Sequence, residues 1–475
     1  MSRAYCVVSA ILLLVLLAGC GLTSPPVGPS SPLATALPPV TTLLLTPTFL
    51  PTNTPLPSST PTPKPTATWV PTLLPASPPP AATPSADLSA TMDTIETEVE
   101  KLRGLDEISP ITRTLMTRQE LVTYLEQQFA EEYPPEEVEA DVRVLAAFDF
   151  VPEDFDLEGL LLTMYSSQIL GMYDDEQDTF YVIIEGVEDE FNWLDRVTFA
   201  HEYTHGLQDE HFGLDTFMDE DHLNDDEFLA RQALVEGDAS LAMTQYLMAH
   251  LFELTAEDLA ALQEETVEAD QAVLDAVPPI LCETLEFPYT YGLEFVTTLQ
   301  EKGWEAVDAA FTNPPQSTEQ ILHPERYFSH DEPQIVVLPP LTDTLGANWH
   351  LVEAETLGEF QTNLYLAQQV EQATADLASE GWDGDQYALY VKDDAAVLVF
   401  ATVWDSPTDR EEFVAAYTQY AQDKYGQSAT CTGGSETWWK APTQTACLVW
   451  EETSALAILG PDPATVADVL AAVKP

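Results

Sequence analysis

The chain has 475 residues, with 80 Asp and Glu against 16 Lys and Arg, and all the acidic residues lie beyond residue 86 together with 14 of the basic ones, a net charge of −66 for that part. Such a surface repels nucleic-acid phosphates and anionic lipid and excludes both as partners of the folded region. Its expected role is a solvated, non-aggregating exterior, ahead of attraction for basic substrates or adaptation to salt or low pH.

Residues 1–20 read as a signal peptide: Met1-Ser2-Arg3, an apolar run from Val7 to Leu17, then Leu17-Ala18-Gly19-Cys20. The ending resembles the L-A-G-C lipobox of bacterial lipoproteins. That resemblance implies lipidation of Cys20 and an extracytoplasmic protein anchored to the cell membrane. The apolar run is short for a span, and no later segment approaches the roughly 20 apolar residues a membrane helix needs. Residues 21–86 are rich in Pro, Thr and Ser without one Asp or Glu, so they cannot bury a core and read as an extended linker.

Residues 87–345 are expected to form an α-rich domain. Gly171 to Glu185 reads as a strand segment, with a turn at Asp174–Asp178 before an apolar run. From Phe191 to Leu207, Trp193, Leu194, Val197, Ala200 and Leu207 follow a 3.6-residue period, with Asn192 as N-cap. This helix carries His201-Glu202-Tyr203-Thr204-His205, an H-E-x-x-H signature. Residues four apart share a helix face, so both imidazoles can bind one zinc ion while Glu202 reaches a water on it as general base. The competing reading is a core helix with two satisfied histidines.

A third ligand is required, and Glu236 is the candidate. It lies on a second predicted helix, roughly Glu227 to Leu251, among Leu234, Val235, Ala239, Leu241 and Ala242. A carboxylate buried there costs several kcal/mol unless paired or metal-bound; a partner other than metal would be Arg231. Gly237 lowers helix propensity but lets another backbone approach. Asp209 and Asp238 are candidates to orient a ligand imidazole, or else solvated carboxylates. A further helix is predicted from about Tyr291.

Residues 346–475 are expected to form a smaller α+β domain. Leu357–Ser379 reads as one helix, Tyr387–Val391 and Ala396–Phe400 as a hairpin, and Thr408–Lys424 and Ala464–Val473 as helices. Strands are expected near Trp438, Cys447–Trp450 and Ala455–Leu459. Trp382–Asp385 and Trp404 read either as a ligand-binding patch or as aromatic core. Cys431 and Cys447 are the natural disulfide in an oxidising compartment, with Cys282 left alone and buried. The fold class is therefore α+β, in two domains, and a monomer is expected.

His201-Glu202-x-x-His205 with Glu236 in E-G-D-A resembles the gluzincin zinc metallopeptidases, of the peptidase MA-like superfamily. It is similar, more narrowly, to a family of uncharacterised bacterial secreted or lipoprotein metallopeptidase-like proteins. The matching stretches are Gly171–Asp174, Val182–Ile184, His201–Asp209, Leu234–Ala239, Pro314–Pro324 and Gly381–Asp385. The resemblance implies one zinc on His201, His205 and Glu236, Glu202 as base, and a peptide lying along the edge strand before the zinc helix. Pro288-Tyr289-x-x-Gly292 is similar to the P-Y-x-x-G element of gluzincin aminopeptidases and implies Tyr289 as oxyanion donor, with Tyr291 and His323 as runners-up. The G-A-M-E-N element of those aminopeptidases is missing, so the expected activity is that of an endopeptidase on peptide or protein substrates. The alternative is an inactive gluzincin-fold lipoprotein that binds or scaffolds.

Overall fold

In α1 (Ala86–Arg103), Leu88, Met92, Ile95 and Val99 recur at three- and four-residue spacing and form its buried face. The helix stops where Gly104 adopts φ 82°, the left-handed region glycine tolerates. The computed structural model describes residues 84–474 apart from 169–170, 175–178, 185–189, 220–221, 266–276, 427–429 and 432–434. The signal peptide, Cys20, nearly all of the 21–86 linker and the turn at 175–178 lie outside the described residues.

After α1 come β1 (Thr112–Thr117), α2 (Arg118–Glu132), α3 (Pro135–Ala147) and α4 (Leu157–Gln168), then β2 (Gly171–Asp174) and β3 (Thr179–Ile184). β1 pairs parallel and β2 antiparallel with β3, so the order is β1-β3-β2 and β2 lies at an edge. The segment expected over Gly171–Glu185 is thus a pair of strands. β1 was not expected: Thr112-Arg113-Thr114-Leu115-Met116-Thr117 is too polar to stand out, and its ladder partner lies some seventy residues away.

α5 (Trp193–Phe212) begins with the predicted Asn192 cap, whose side chain accepts from Asp195 N while the Asp195 carboxylate accepts from Asn192 N. From Val197 to Gln208 every residue is buried, so this helix runs through the core. α6 (Asp225–Ala249), α7 (Ala256–Glu265), α8 (Pro279–Gln300) and α9 (Trp304–Thr312) follow. α8 begins a full three turns before the expected start, with Pro288 internal. Close packing on α6 carries the helix through that proline, overriding its local preference. At the crossing, a Cβ on Gly237 would lie 2.2 Å from the Gly292 carbonyl oxygen, and one on Gly292 2.2 Å from that of Ala233. The close backbone approach expected at Gly237 is present.

The remaining strands, β4 (His350–Glu355), β5 (Trp382–Lys392), β6 (Ala395–Trp404), β7 (Thr430–Cys431), β8 (Glu436–Lys440), β9 (Thr445–Glu451) and β10 (Ser454–Gly460), form one antiparallel sheet ordered β4-β5-β6-β10-β9-β8-β7. Side chains alternate across it: Leu389, Leu398 and Phe400 join one core, Ala388, Val397 and Val399 the other. α10 (Gly358–Ala367), α11 (Gln372–Ser379) and α12 (Pro407–Tyr425) contribute to the first core, and α13 (Pro463–Val473) to the second. The single helix expected over Leu357–Ser379 is therefore two. The Asn363 amide donates to Asp376 and Ser379, folding α11 back against α10.

The class is α+β. The expected boundary near 345 separates the two sheets, but Phe148, just past α3, packs edge-on against Tyr365 and Tyr387 in the second sheet's core. All described residues cluster as one compact unit. The Cys431–Cys447 disulfide is corrected. Cys447 is a free, buried thiol, and β8 lies between the two cysteines' strands. Strands two apart are separated by about 9.5 Å, beyond the ~7 Å Cα reach of a disulfide. Cys282, expected alone, is buried but disulfide-bonded. Among the described residues no helix is long and apolar enough to cross a membrane.

Candidate metal centre

One turn of α5 puts His201 and His205 on one face, with ring centroids 4.7 Å apart. The α6–α8 crossing holds α6 so that Glu236, next to Gly237, meets both rings. His201 Nε2 and His205 Nε2 lie 3.0 Å apart, and Glu236 Oε2 lies 3.1 Å and 3.4 Å from them. None of the three is more than 1% exposed. These are the only described His, Cys, Asp or Glu side chains grouped to hold a metal ion. Zinc with bonds of 2.0–2.1 Å in tetrahedral geometry requires ligand atoms about 3.3 Å apart. The donor set fits.

Without a metal, His205 and Glu236 form a buried ion pair, whose proton a bound metal would displace. Burial opposes charge on both partners, but the attraction between Glu236 and the His205 imidazolium overrides it, moving His205 up to about 9 and Glu236 down to about 2. Burial lowers His201, against its contact with Glu236. The Arg231 alternative fails, because Arg231 pairs with Glu227 at 2.6 Å.

Glu202 sits beside the ligands, wholly buried. Its Oε2 accepts from the Tyr173 amide of edge strand β2 at 3.1 Å, and its Oε1 has no protein partner. Burial pushes its carboxyl up to about 8. The strand passes so close that a Cβ on Gly171 would lie 3.1 Å from Glu202 Cγ. Tyr289, on α8, has its ring 6.3 Å from that of His201.

Other candidates are placed elsewhere. Tyr291 packs on Phe287 and Phe360, because an additional two residues turn it to another face of α8. His323 meets Glu359 at 3.0 Å. Asp209 does not orient His205: its carboxylate accepts from the Tyr173 hydroxyl and the Leu214 amide. Gln208 takes that position, its Oε1 2.8 Å from His205 Nδ1. Asp238 acts one step further out, accepting from the Gln208 amide at 2.9 Å. Sequence reasoning missed Gln208, whose signal was its i+3 spacing from His205, and Arg103, for which no local signal exists.

The Pro314–Pro324 and Gly381–Asp385 stretches meet at the start of α6. Asp226 accepts from the Thr318 amide and hydroxyl, and Asp385 from the amides of Leu357 and Gly358 and from Trp382 Nε1. Trp382 and Trp404 are each 1% exposed, which makes them core and removes the ligand-patch reading.

Comparison with known proteins is sparse. Residues 349–470 match a domain family of unknown function (DUF8575), covering the second sheet. No curated protein and no solved structure matches the chain.

Proposed function

We propose that this chain is a zinc-dependent endopeptidase of gluzincin type, held outside the cytoplasm by a lipid on Cys20. The observation that carries this reading is the convergence of His201, His205 and Glu236, with Glu202, next to His201 in the chain and in electrostatic contact with His205 and Glu236, keeping one oxygen without a hydrogen-bond partner. When bound, zinc supplies a Lewis acid that polarises a carbonyl and activates water near neutral pH. Glu202 takes the proton of the attacking water and delivers it to the leaving amine. Tyr289 donates its hydroxyl to the developing oxyanion. Edge strand β2 aligns the substrate by main-chain hydrogen bonds, which requires Glu202 to release the Tyr173 amide it now holds.

One observation favours a second reading. The site is closed, with neither Glu202 nor any of the three candidate ligands above 1% exposure, which suits a binding or scaffold module as well as an enzyme that opens for its substrate. The test is zinc content and cleavage of an unfolded protein. Wild type is expected to carry about one zinc and to cleave in a chelator-sensitive way. Glu202→Gln should keep the metal and lose activity by about 10²- to 10⁴-fold. Full zinc occupancy without cleavage of any substrate pool supports the scaffold instead.

A further inference from the structure

His205 can present Nε2 to a metal only if its proton resides on Nδ1. We infer that this choice is imposed by a buried relay that begins at Arg103 and passes through Asp238 and Gln208. The inference rests on the metal-site reading above.

Each link constrains the next. Arg103, the last residue of α1, is completely buried. Its Nε lies 2.6 Å from Asp238 Oδ1 and one terminal nitrogen lies 2.8 Å from Asp308 on α9. The guanidinium also stacks 4.5 Å from the centre of the Trp304 ring. This double hold leaves Asp238 Oδ2 as an acceptor, 2.9 Å from Gln208 Nε2. The same nitrogen lies 2.9 Å from the Val235 carbonyl oxygen, which can only accept. Two acceptors therefore claim the Gln208 NH₂ group and fix the orientation of the amide. Its Oε1 then faces His205 Nδ1 at 2.8 Å, and only an N–H can satisfy that contact. Nε2 is left facing His201 and Glu236.

Arg103 is thus a positioning residue for a ligand about a hundred positions away. The relay spans α1, α5, α6 and α9 without touching the metal position. It also separates Gln208 from a simple carboxylate that orients a ligand histidine. A glutamate at 208 would accept from His205 yet set its second oxygen against the Val235 carbonyl and the Asp238 carboxylate.

The test uses the full chain with zinc as probe, in competition with a chromophoric chelator, together with the proton resonance of His205 Nδ1–H. Wild type should show a downfield, exchange-protected Nδ1–H signal. Gln208→Leu and Arg103→Met should lose that signal and weaken zinc binding by about 10- to 100-fold. Gln208→Glu should also weaken binding, and Q208E/D238N, with an amide donor opposite the new carboxylate, should recover part of the loss, since the Val235 carbonyl still opposes that carboxylate. If Arg103→Met does not fold, Arg103→Lys serves: it keeps the charge, loses the fork, and should weaken binding to a lesser degree. The relay is overturned if these variants keep wild-type zinc affinity and the Nδ1–H signal, or if Gln208→Glu binds more tightly than wild type. A wild type that takes up no zinc but loses the Nδ1–H signal in Arg103→Met and Gln208→Leu sinks the peptidase reading while the relay stands.

Discussion

Tyr289 shows how much one side chain is asked to do. Its ring lies 6.3 Å from His201, and the α6–α8 crossing one turn away fixes its backbone. If its hydroxyl donates only to charge developing in the transition state, Tyr289→Phe should cut kcat by about 10²- to 10³-fold. KM and zinc content should stay unchanged, because neither depends on that donor. Steady-state kinetics alongside metal analysis checks this; a kcat within a few-fold of wild type would assign the ring to packing alone. At this scale the two histidines of the candidate site were legible in the sequence, because H-E-x-x-H states both identity and spacing, and Glu236 was legible only as a candidate. Gln208 against Asp209 was not. Both lie near His205 on a helix, and only the neighbouring α6 decides which faces the ring.

At the scale of elements, the crossing of α6 and α8 is the feature on which Glu236 depends. Gly237→Ala would drive a methyl to 2.2 Å from the Gly292 carbonyl, and backbone cannot rotate away as a side chain can. The helices must separate, at a cost of about 1–3 kcal/mol, and Glu236 moves with α6. Both the thermal midpoint and zinc affinity should fall in the same variant. An unchanged pair of values would show that the crossing does not govern the site. The H-E-x-x-H helix and the Glu236 helix were recoverable from apolar spacing and the Asn192 cap. The break between α10 and α11 was not, since the Asn363 hydrogen bonds that fold it back lie across the turn. Cys431 and Cys447 illustrate the same limit: sequence separation says nothing about β8 standing between them.

For the whole molecule, the acidity has a buried component that a charge count conceals. Burial is the leading cause that raises Asp226 to about 8, Glu319 to about 9, Glu286 to about 7 and Asp385 to about 6. Unfolded, these groups titrate near pH 4. A carboxyl that holds its proton more tightly when folded contributes stability that is complete below the unfolded value and is lost as the pH rises through the folded one. The thermal midpoint should therefore fall from about pH 5 to pH 9. Surface repulsion in the part beyond residue 86, with its net charge of −66, acts in the same direction, so added salt should recover part of the loss at the alkaline end. Melting curves across pH and salt test this directly, and a midpoint that rises toward pH 9 would contradict it.

The sequence by itself determined which atoms can bind a metal, the helices that carry them, the mixed α+β class and the sign of the surface. These are local properties, set by residue identity and by periods of two and 3.6. Tertiary structure alone decided that Glu236 closes the ligand set, that the Tyr173 amide holds Glu202, and that Arg103 reaches His205 through Asp238 and Gln208. Most of those contacts join residues thirty or more positions apart, and Arg103 and Asp238 are 135 apart (238 − 103). Their distances follow from how closely helices and strands pack, a property no window of sequence contains.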